Sequence, residues 1–447
     1  MRSIFSIYSE LPRSVRPTYF YTVRSALIGA VGGGIGSLLG NIATSLLHAS
    51  QWDLAVMTSL EGVGMLLAFF WGGFASGRRK MPFILWPNVI GGVIFFILGL
   101  IGIPTIFCVL VGLVGLVFSI GMPAKAGIVS SNMPASVRGL ISGFVQRWSM
   151  LIAVVTAIVA AEIIQHYSWT YIWIVPLGGI FTIASALIYN RMHVRGEGRL
   201  STTPGFNPLA SFHVLVRDKF FRTYMTDFFL FGLANLMTLP LVMIVLRDDM
   251  HVDFRQIQWT NVIIPAVMGL VTVGFWGRVL DRSNPVKMRA WMNLVWIVLP
   301  VCYYIAPRSG LSVFGISIQP VVFIWFGAIV QGTIAAGQGL IWMLGATYFA
   351  RKEDVPLYQG VHIGLTGVRA LIGSFLGPLM VEHLFGGGME ARRSLFLVSS
   401  LMMLISALLM FKLVTRIKLE YGGRMPSQSD SAAIGAGVRI EDQHSPD

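Results

Sequence analysis

Two arginines stand where a charge is hard to keep. Arg147 and Arg369 each lie inside a long apolar run, eight or nine residues past a glycine at the run's polar end (Gly139 and Gly360). At 1.5 Å per residue that places them about 12–14 Å into a hydrocarbon layer about 30 Å thick. A charge at such depth costs at least about 2.5 kcal/mol, so the side chain must face a protein interior or a watery cavity. Guanidinium is always ionised and forks onto carboxylate or phosphate. Two chemistries follow. The pair binds a small anionic solute, or each arginine pairs with a buried carboxylate or with helix carbonyls and serves structure alone.

The carboxylates that could answer them are Glu61 and Asp227, also inside apolar runs. Glu61 is the candidate proton carrier, because a solute competing for a neighbouring arginine would alter the proton affinity of the carboxyl. A static Glu61–Arg369 salt bridge is the other reading. Asp227 lies only about seven residues into its run and is expected to face polar surroundings. His362 precedes Arg369 by seven residues, two helical turns, so the two share a face. It could line a cavity mouth and exchange protons near neutral pH, or simply be hydrogen-bonded. Asn41, Gln146, Asn235, Gln331 and Gln338 are amides within apolar runs, able to bind solute or to join helices. The eight histidines are scattered without metal-ligand spacing. No nucleophile–base cluster and no Gly-x-x-x-x-Gly-Lys-Ser/Thr loop occurs. The expectation is therefore no catalytic residue, no metal, no cofactor and no enzyme.

These residues need elements long enough to bury them. The 447-residue chain is 55% hydrophobic and 12% charged, with a mean hydropathy of +0.72. Soluble domains carry about twice that charge, so lipid must be the solvent for much of the chain. Apolar runs of span length fall at residues 19–47, 53–75, 82–102, 105–130, 139–165 and 169–191. A second series falls at 220–246, 259–280, 286–306, 319–348, 359–384 and 394–415. Glycine is abundant at 49 residues, and small residues within spans let helix backbones approach closely. Cys108 and Cys302 sit inside runs and read as small core residues.

The net charge of +13 could suggest nucleic acid, but the cations occupy short segments between apolar runs. Arg247, Arg255, Arg308, Arg392 and Arg393 fall in loops on one side. Arg24, Lys125, Arg147, Arg369 and Lys412 fall within spans, and every other Lys and Arg lies on the side of the termini. That bias predicts cytoplasmic termini and a multi-pass protein of the plasma or inner membrane, with no nucleic-acid partner. The polar stretch 192–218 divides the chain into a six-span unit at 1–191 and another at 219–419, followed by a disordered cytoplasmic tail at 420–447. A repeat supports the division. Gly139, Gly143 and Arg147 in the fifth span answer Gly360, Gly364 and Arg369 in the eleventh.

On this pattern the chain resembles the major facilitator superfamily of transporters. Its Gly-x-x-x-Asp-Arg loop motif is matched after the eighth span by Gly277 through Asn284, with Asn284 in place of the final glycine. The first copy, Gly72 through Lys80, carries Ser76 where the motif has Asp. The segment Pro134 through Gly139 fits the Pro-x-x-x-Arg-Gly pattern before the fifth span. The resemblance implies an all-α membrane fold of twelve helices in two pseudo-symmetric six-helix bundles. It also implies a conformational latch at Asp281 and Arg282, with Arg138 of the segment before the fifth span as a further latch residue. It places the second span near the eleventh and the fifth near the eighth. The implied function is a secondary active transporter working by alternating access. The residues point to a small anionic solute and to proton coupling. The partners expected are that solute and membrane lipids, with the chain acting as a monomer. An efflux antiporter for amphipathic compounds with purely structural arginines, and a membrane-embedded enzyme or lipid-handling protein, are the alternatives.

Overall fold

The computed structural model describes residues 8, 11–75, 78–133, 135–194, 208–307, 311–313, 316–350 and 355–422. Twelve long helical segments run through them. In the first half they are α1 (Arg16–Leu46), α2 (Gln51–Ala75), α3 (Pro82–Leu98), α4 (Pro104–Ser119, continued by Gly121–Asn132), α5 (Ala135–His166) and α6 (Tyr171–Asn190). In the second half they are α7 (Lys219–Ile244), α8 (Phe254–Gln258, leading into Ile264–Arg282), α9 (Pro285–Trp296, continued by Val298–Ile305), α10 (Val321–Leu344), α11 (Val355–Leu379) and α12 (Gly388–Tyr421). Among the described residues ten helices are long and apolar enough to cross a membrane, and Pro82–Leu98 is a shorter apolar one. The chain is an integral, multi-pass membrane protein.

Local chemistry sets the ends. Proline in the first turn opens α1, α3, α4 and α9, where a missing N–H costs nothing. Asp218 caps α7 by accepting from the Phe221 N–H at 2.8 Å, and Asp253 caps α8 from Gln256 at 2.7 Å. A short helix, Pro208–Arg217, lies in the polar stretch between the halves. A two-stranded hairpin, Leu311–Val313 paired with Ile316–Ile318, joins α9 to α10. It is a small addition to the expected all-α fold.

The two halves repeat the same packing. In the first, α1 packs on α5 and α6, α2 on α4, and α3 on α6. In the second, α7 packs on α11 and α12, α8 on α10, and α9 on α12. Across the halves α2 packs along α11, and α5 meets α8 less extensively. The fold is two pseudo-symmetric six-helix bundles. The even number of helices puts both ends of the described chain on one face, termed proximal here. The opposite face is distal.

The α2–α11 seam is built on small residues. A side-chain carbon at Gly62 would stand 2.7 Å from Cβ of Ala370, and one at Gly367 would stand 2.6 Å from the Leu66 nitrogen. Thr58 and Ser374 share a hydrogen bond at 2.8 Å on the same seam. Further polar contacts close the distal side. Asn41 Nδ2 donates to the Phe254 carbonyl at 2.7 Å, and Gln258 Nε2 donates to Ser37 Oγ at 3.2 Å. Arg247 donates to the carbonyls of Thr44 and Ala49. Trp52 Nε1 donates to Glu382 at 2.7 Å, and the Arg255 guanidinium reaches Glu162 at 3.4 Å. Towards the proximal side, Gly143 of α5, Gly339 of α10 and Gly364 of α11 border open space.

Candidate functional site: a central cavity with one uncompensated arginine

A cavity of about 370 Å³ lies where α2, α7, α9, α10 and α11 converge. Its walls are largely apolar and aromatic, with Met65, Phe231, Trp296 and Trp342 among them. Glu61, Asn235, Arg289, Gln338, Thr366 and Arg369 supply the polar groups. That size and composition are typical of a small-molecule site.

Arg369 is 7% exposed. Its guanidinium fills a notch at Gly232, where a side-chain carbon would stand 2.2 Å from Nη1 and 2.3 Å from Cζ. Only glycine on α7 leaves that room. Nη1 donates to the Phe228 carbonyl, and Nε has no hydrogen-bond partner among the described residues. The guanidinium carbon lies 4.5 Å from the centroid of the Phe228 ring.

Beside it stands a second arginine, missed by the sequence reading. Arg289 was expected in a polar segment on the side of the termini, but it sits in the second turn of α9 and is 2% exposed. Its guanidinium lies 4.0 Å from the same Phe228 ring. Nε donates to Asp227 Oδ2 at 3.1 Å, and Nη1 donates to Gln338 Oε1 at 3.1 Å. Asn293 Nδ2 donates to Asp227 Oδ1 at 3.2 Å, Gln338 Nε2 donates to Asn293 Oδ1 at 3.1 Å, and Ser406 donates to the same carboxylate. Asp227, expected towards polar surroundings, is fully buried. The available signal was the spacing of Arg289 and Asn293, four residues apart on one helical face.

Electrostatically the second half is lopsided. Asp227 compensates Arg289, whereas Arg369 meets no carboxylate among the described residues. Buried cations without a counter-charge are costly.

Glu61 lines this cavity from α2. It also lines a second cavity, about 300 Å³, inside the first half beside Asn88, Thr182 and Ser185. No ion pair joins it to Arg369. The reason is orientation: a side-chain carbon at Gly115 of α4 would stand 2.5 Å from Glu61 Cγ, so Glu61 leans into its own half while Arg369 leans towards Gly232. His362 shares the Arg369 face as its spacing requires, since both side chains touch Phe228. It is not at the mouth. It is 1% exposed, wedged between Phe228 at 4.4 Å and Trp342 at 5.5 Å between ring centroids.

The remaining candidates scatter. Gln338 joins the Arg289 network, and Asn235 lines the cavity while accepting from Trp296 Nε1 at 3.3 Å. Gln331 lines a neighbouring cavity in the second half. Asn41 is consumed in the distal contact with α8. Gln146 and Arg147 are exposed on α5, and neither lines the central cavity. Arg147 is therefore not brought together with Arg369. The side chains of Asp281, Arg282 and Arg138 lie outside the described residues.

Among curated proteins, none matches the chain. Solved structures do. A nucleoside transporter, NupG, superposes with a TM-score of 0.66 at 13% identity, covering 88% of this chain and 98% of the other. A peptide transporter, POT, in complex with sulfate gives 0.67 at 12% identity, covering 93% and 96%. A D-xylose–proton symporter gives 0.58 at 14% identity, covering 88% and 97%. At these identities the likeness is one of fold. The sequence profile of the Major Facilitator Superfamily matches residues 23–336, and the chain belongs to that family of transporters.

Proposed function

We propose that this chain is a secondary active transporter that moves a small solute bearing an anionic group, by alternating access around the central cavity. The observation that carries the reading is the uncompensated Arg369 in a largely apolar cavity between the halves. In this reading Arg369 anchors the anionic group, and the Asp227–Arg289 network holds the wall behind it. Glu61 is the candidate for coupling to protons. The transporting units are residues 1–191 and 219–419, linked through 192–218 and followed by the tail at 420–447, and the chain works as a monomer. The distribution of Lys and Arg supports cytoplasmic termini in a plasma or inner membrane, which makes the distally sealed state inward-facing. The solutes of the fold neighbours (nucleosides, peptides and xylose) support a small organic solute.

The test is a thermal-shift screen of purified protein against small carboxylates, phosphates and cationic amphiphiles, because a ligand stabilises the state it binds. Anionic compounds should raise the melting temperature of the wild type and leave Arg369→Gln unmoved. Stabilisation by cationic amphiphiles alone, retained in Arg369→Gln, would return the arginine to a structural role and favour amphiphile efflux.

A further inference from the structure

We propose that the solute is a zwitterion, its carboxylate on Arg369 and its ammonium on Glu61, with an apolar or aromatic body between them. The inference rests on the transport reading above and adds the second pole.

The two charges stand at one depth. Gly62 and Ala370 meet at the α2–α11 crossing, and Glu61 and Arg369 are their immediate chain neighbours. From that crossing the side chains diverge, Glu61 against Gly115 in the first half and Arg369 into the Gly232 notch in the second. Both line the same cavity, and neither makes an ion pair among the described residues. Two opposite, unpaired charges in one apolar pocket are matched by a ligand with two opposite poles. A simple monoanion would satisfy Arg369 and bring a second negative charge towards Glu61. A simple cation would do the reverse and leave Arg369 buried alone. A zwitterion satisfies both sides, since buried Arg369 and cavity-facing Glu61 then each gain a partner. Phe231, Trp296 and Trp342 supply the surface for the body.

The geometry also ties ligand to motion. The poles belong to different halves, so a zwitterion bridges the seam that must open and close during transport. A ligand lacking one pole would hold only one half.

The experiment uses full-length protein and matched sets of compounds. Each set holds a free amino acid or dipeptide with an apolar or aromatic side chain, its N-acetyl derivative and its amide. Binding is measured by thermal shift and by titration. In the wild type the zwitterions should bind, with the N-acetyl and amide forms at least about tenfold weaker, the loss of one charged hydrogen-bonding partner. In Glu61→Gln the preference over N-acetyl forms should collapse, and in Glu61→Asp it should return. Retained binding of N-acetyl acids to Glu61→Gln would show that this variant is folded. The proposal is overturned if N-acetyl forms bind as tightly as the free compounds, if no zwitterion binds, or if Glu61→Gln keeps the preference. Equal binding of N-acetyl acids that is lost in Arg369→Gln would leave the anion reading standing and remove only the zwitterion. Ligand binding unaffected by Arg369→Gln would remove both.

Discussion

Phe228 carries two guanidiniums within cation–π range of one ring, and the chain sets a single carboxylate beside them. That imbalance divides the labour between the arginines. Each guanidinium keeps one unpartnered nitrogen, Nη2 of Arg289 and Nε of Arg369, but Arg289 is fixed by Asp227, Gln338 and the ring, whereas Arg369 has no carboxylate partner among the described residues. Asp227→Asn should therefore act on stability. Leaving Arg289 buried and unpaired should cost about 3–5 kcal/mol, and the double variant Asp227→Asn with Arg289→Met should recover part of it. Thermal unfolding in detergent reads both; equal stability of the single variant and the wild type would sink the assignment. Gly232→Ala should act on binding, because the added carbon occupies the place of the guanidinium. Affinity for an Arg369-dependent ligand should fall at least about tenfold, as expected where a charged hydrogen bond is misplaced. Titration of that variant checks it, and unchanged affinity would mean that the guanidinium finds an equivalent position.

At the scale of elements, the spans were legible because twenty apolar residues can do little else, yet their true ends were not. The sequence places the last span at 394–415, and α12 runs Gly388–Tyr421. Hydropathy marks the lipid-bathed part of a helix, and the turns beyond it bear Arg392, Arg393, Arg416 and Lys418, the first two held by Asp249 and the Ala306 carbonyl. The same blindness hid Arg289, a charge in the second turn of α9 that resembles a loop residue until the fold buries it. The depth of Arg369 was legible from its glycine spacing, but its orientation depends on Gly232 in another helix.

A second repeat lay unread in the connections. The distal ends of α1, α7 and α11 each widen into a π turn, with Leu47, Met250 and Phe385 donating to the carbonyls of Ile42, Val245 and Met380 at 3.0–3.1 Å. Each is followed by a left-handed residue: His48 (φ 55°), His251 (φ 51°) and Gly386 (φ 78°). Two of the scattered histidines thus mark one turn repeated in both halves. Left-handed backbone costs a side-chain-bearing residue about 1–2 kcal/mol, and β-branching makes it worse. His251→Val should lower stability by at least that amount, and His251→Gly should not. Thermal unfolding of the two variants decides it, and similar losses in both would show that the imidazole rather than the backbone matters.

For the whole molecule, the question is what holds the two halves together on the distal side. The seal is polar and shared between the halves. Arg247, just past α7, binds the carbonyls of Thr44 in the last turn of α1 and Ala49 in the α1–α2 connection, Glu382 after α11 accepts from Gln51 and Trp52, and Arg255 on α8 reaches Glu162 and Gln165 of α5. None of these groups touches the cavity, so they can bias the conformational equilibrium without altering the site. A hydrogen bond from a charged donor contributes about 1.5–3 kcal/mol. Arg247→Ala should then shift the ratio of distally closed to distally open molecules by about ten- to a hundredfold. Spin labels at Tyr167→Cys and Leu384→Cys report it, since both sites are well exposed at the distal ends of opposite halves and the native Cys108 and Cys302 are buried. The distance distribution should gain a longer population in the Arg247→Ala background and revert towards the shorter one when ligand closes the cavity from both halves. A distribution unmoved by Arg247→Ala would place the weight of the seal on the α2–α11 packing around Gly62 and Gly367, where the backbones are too close for a side chain to intervene.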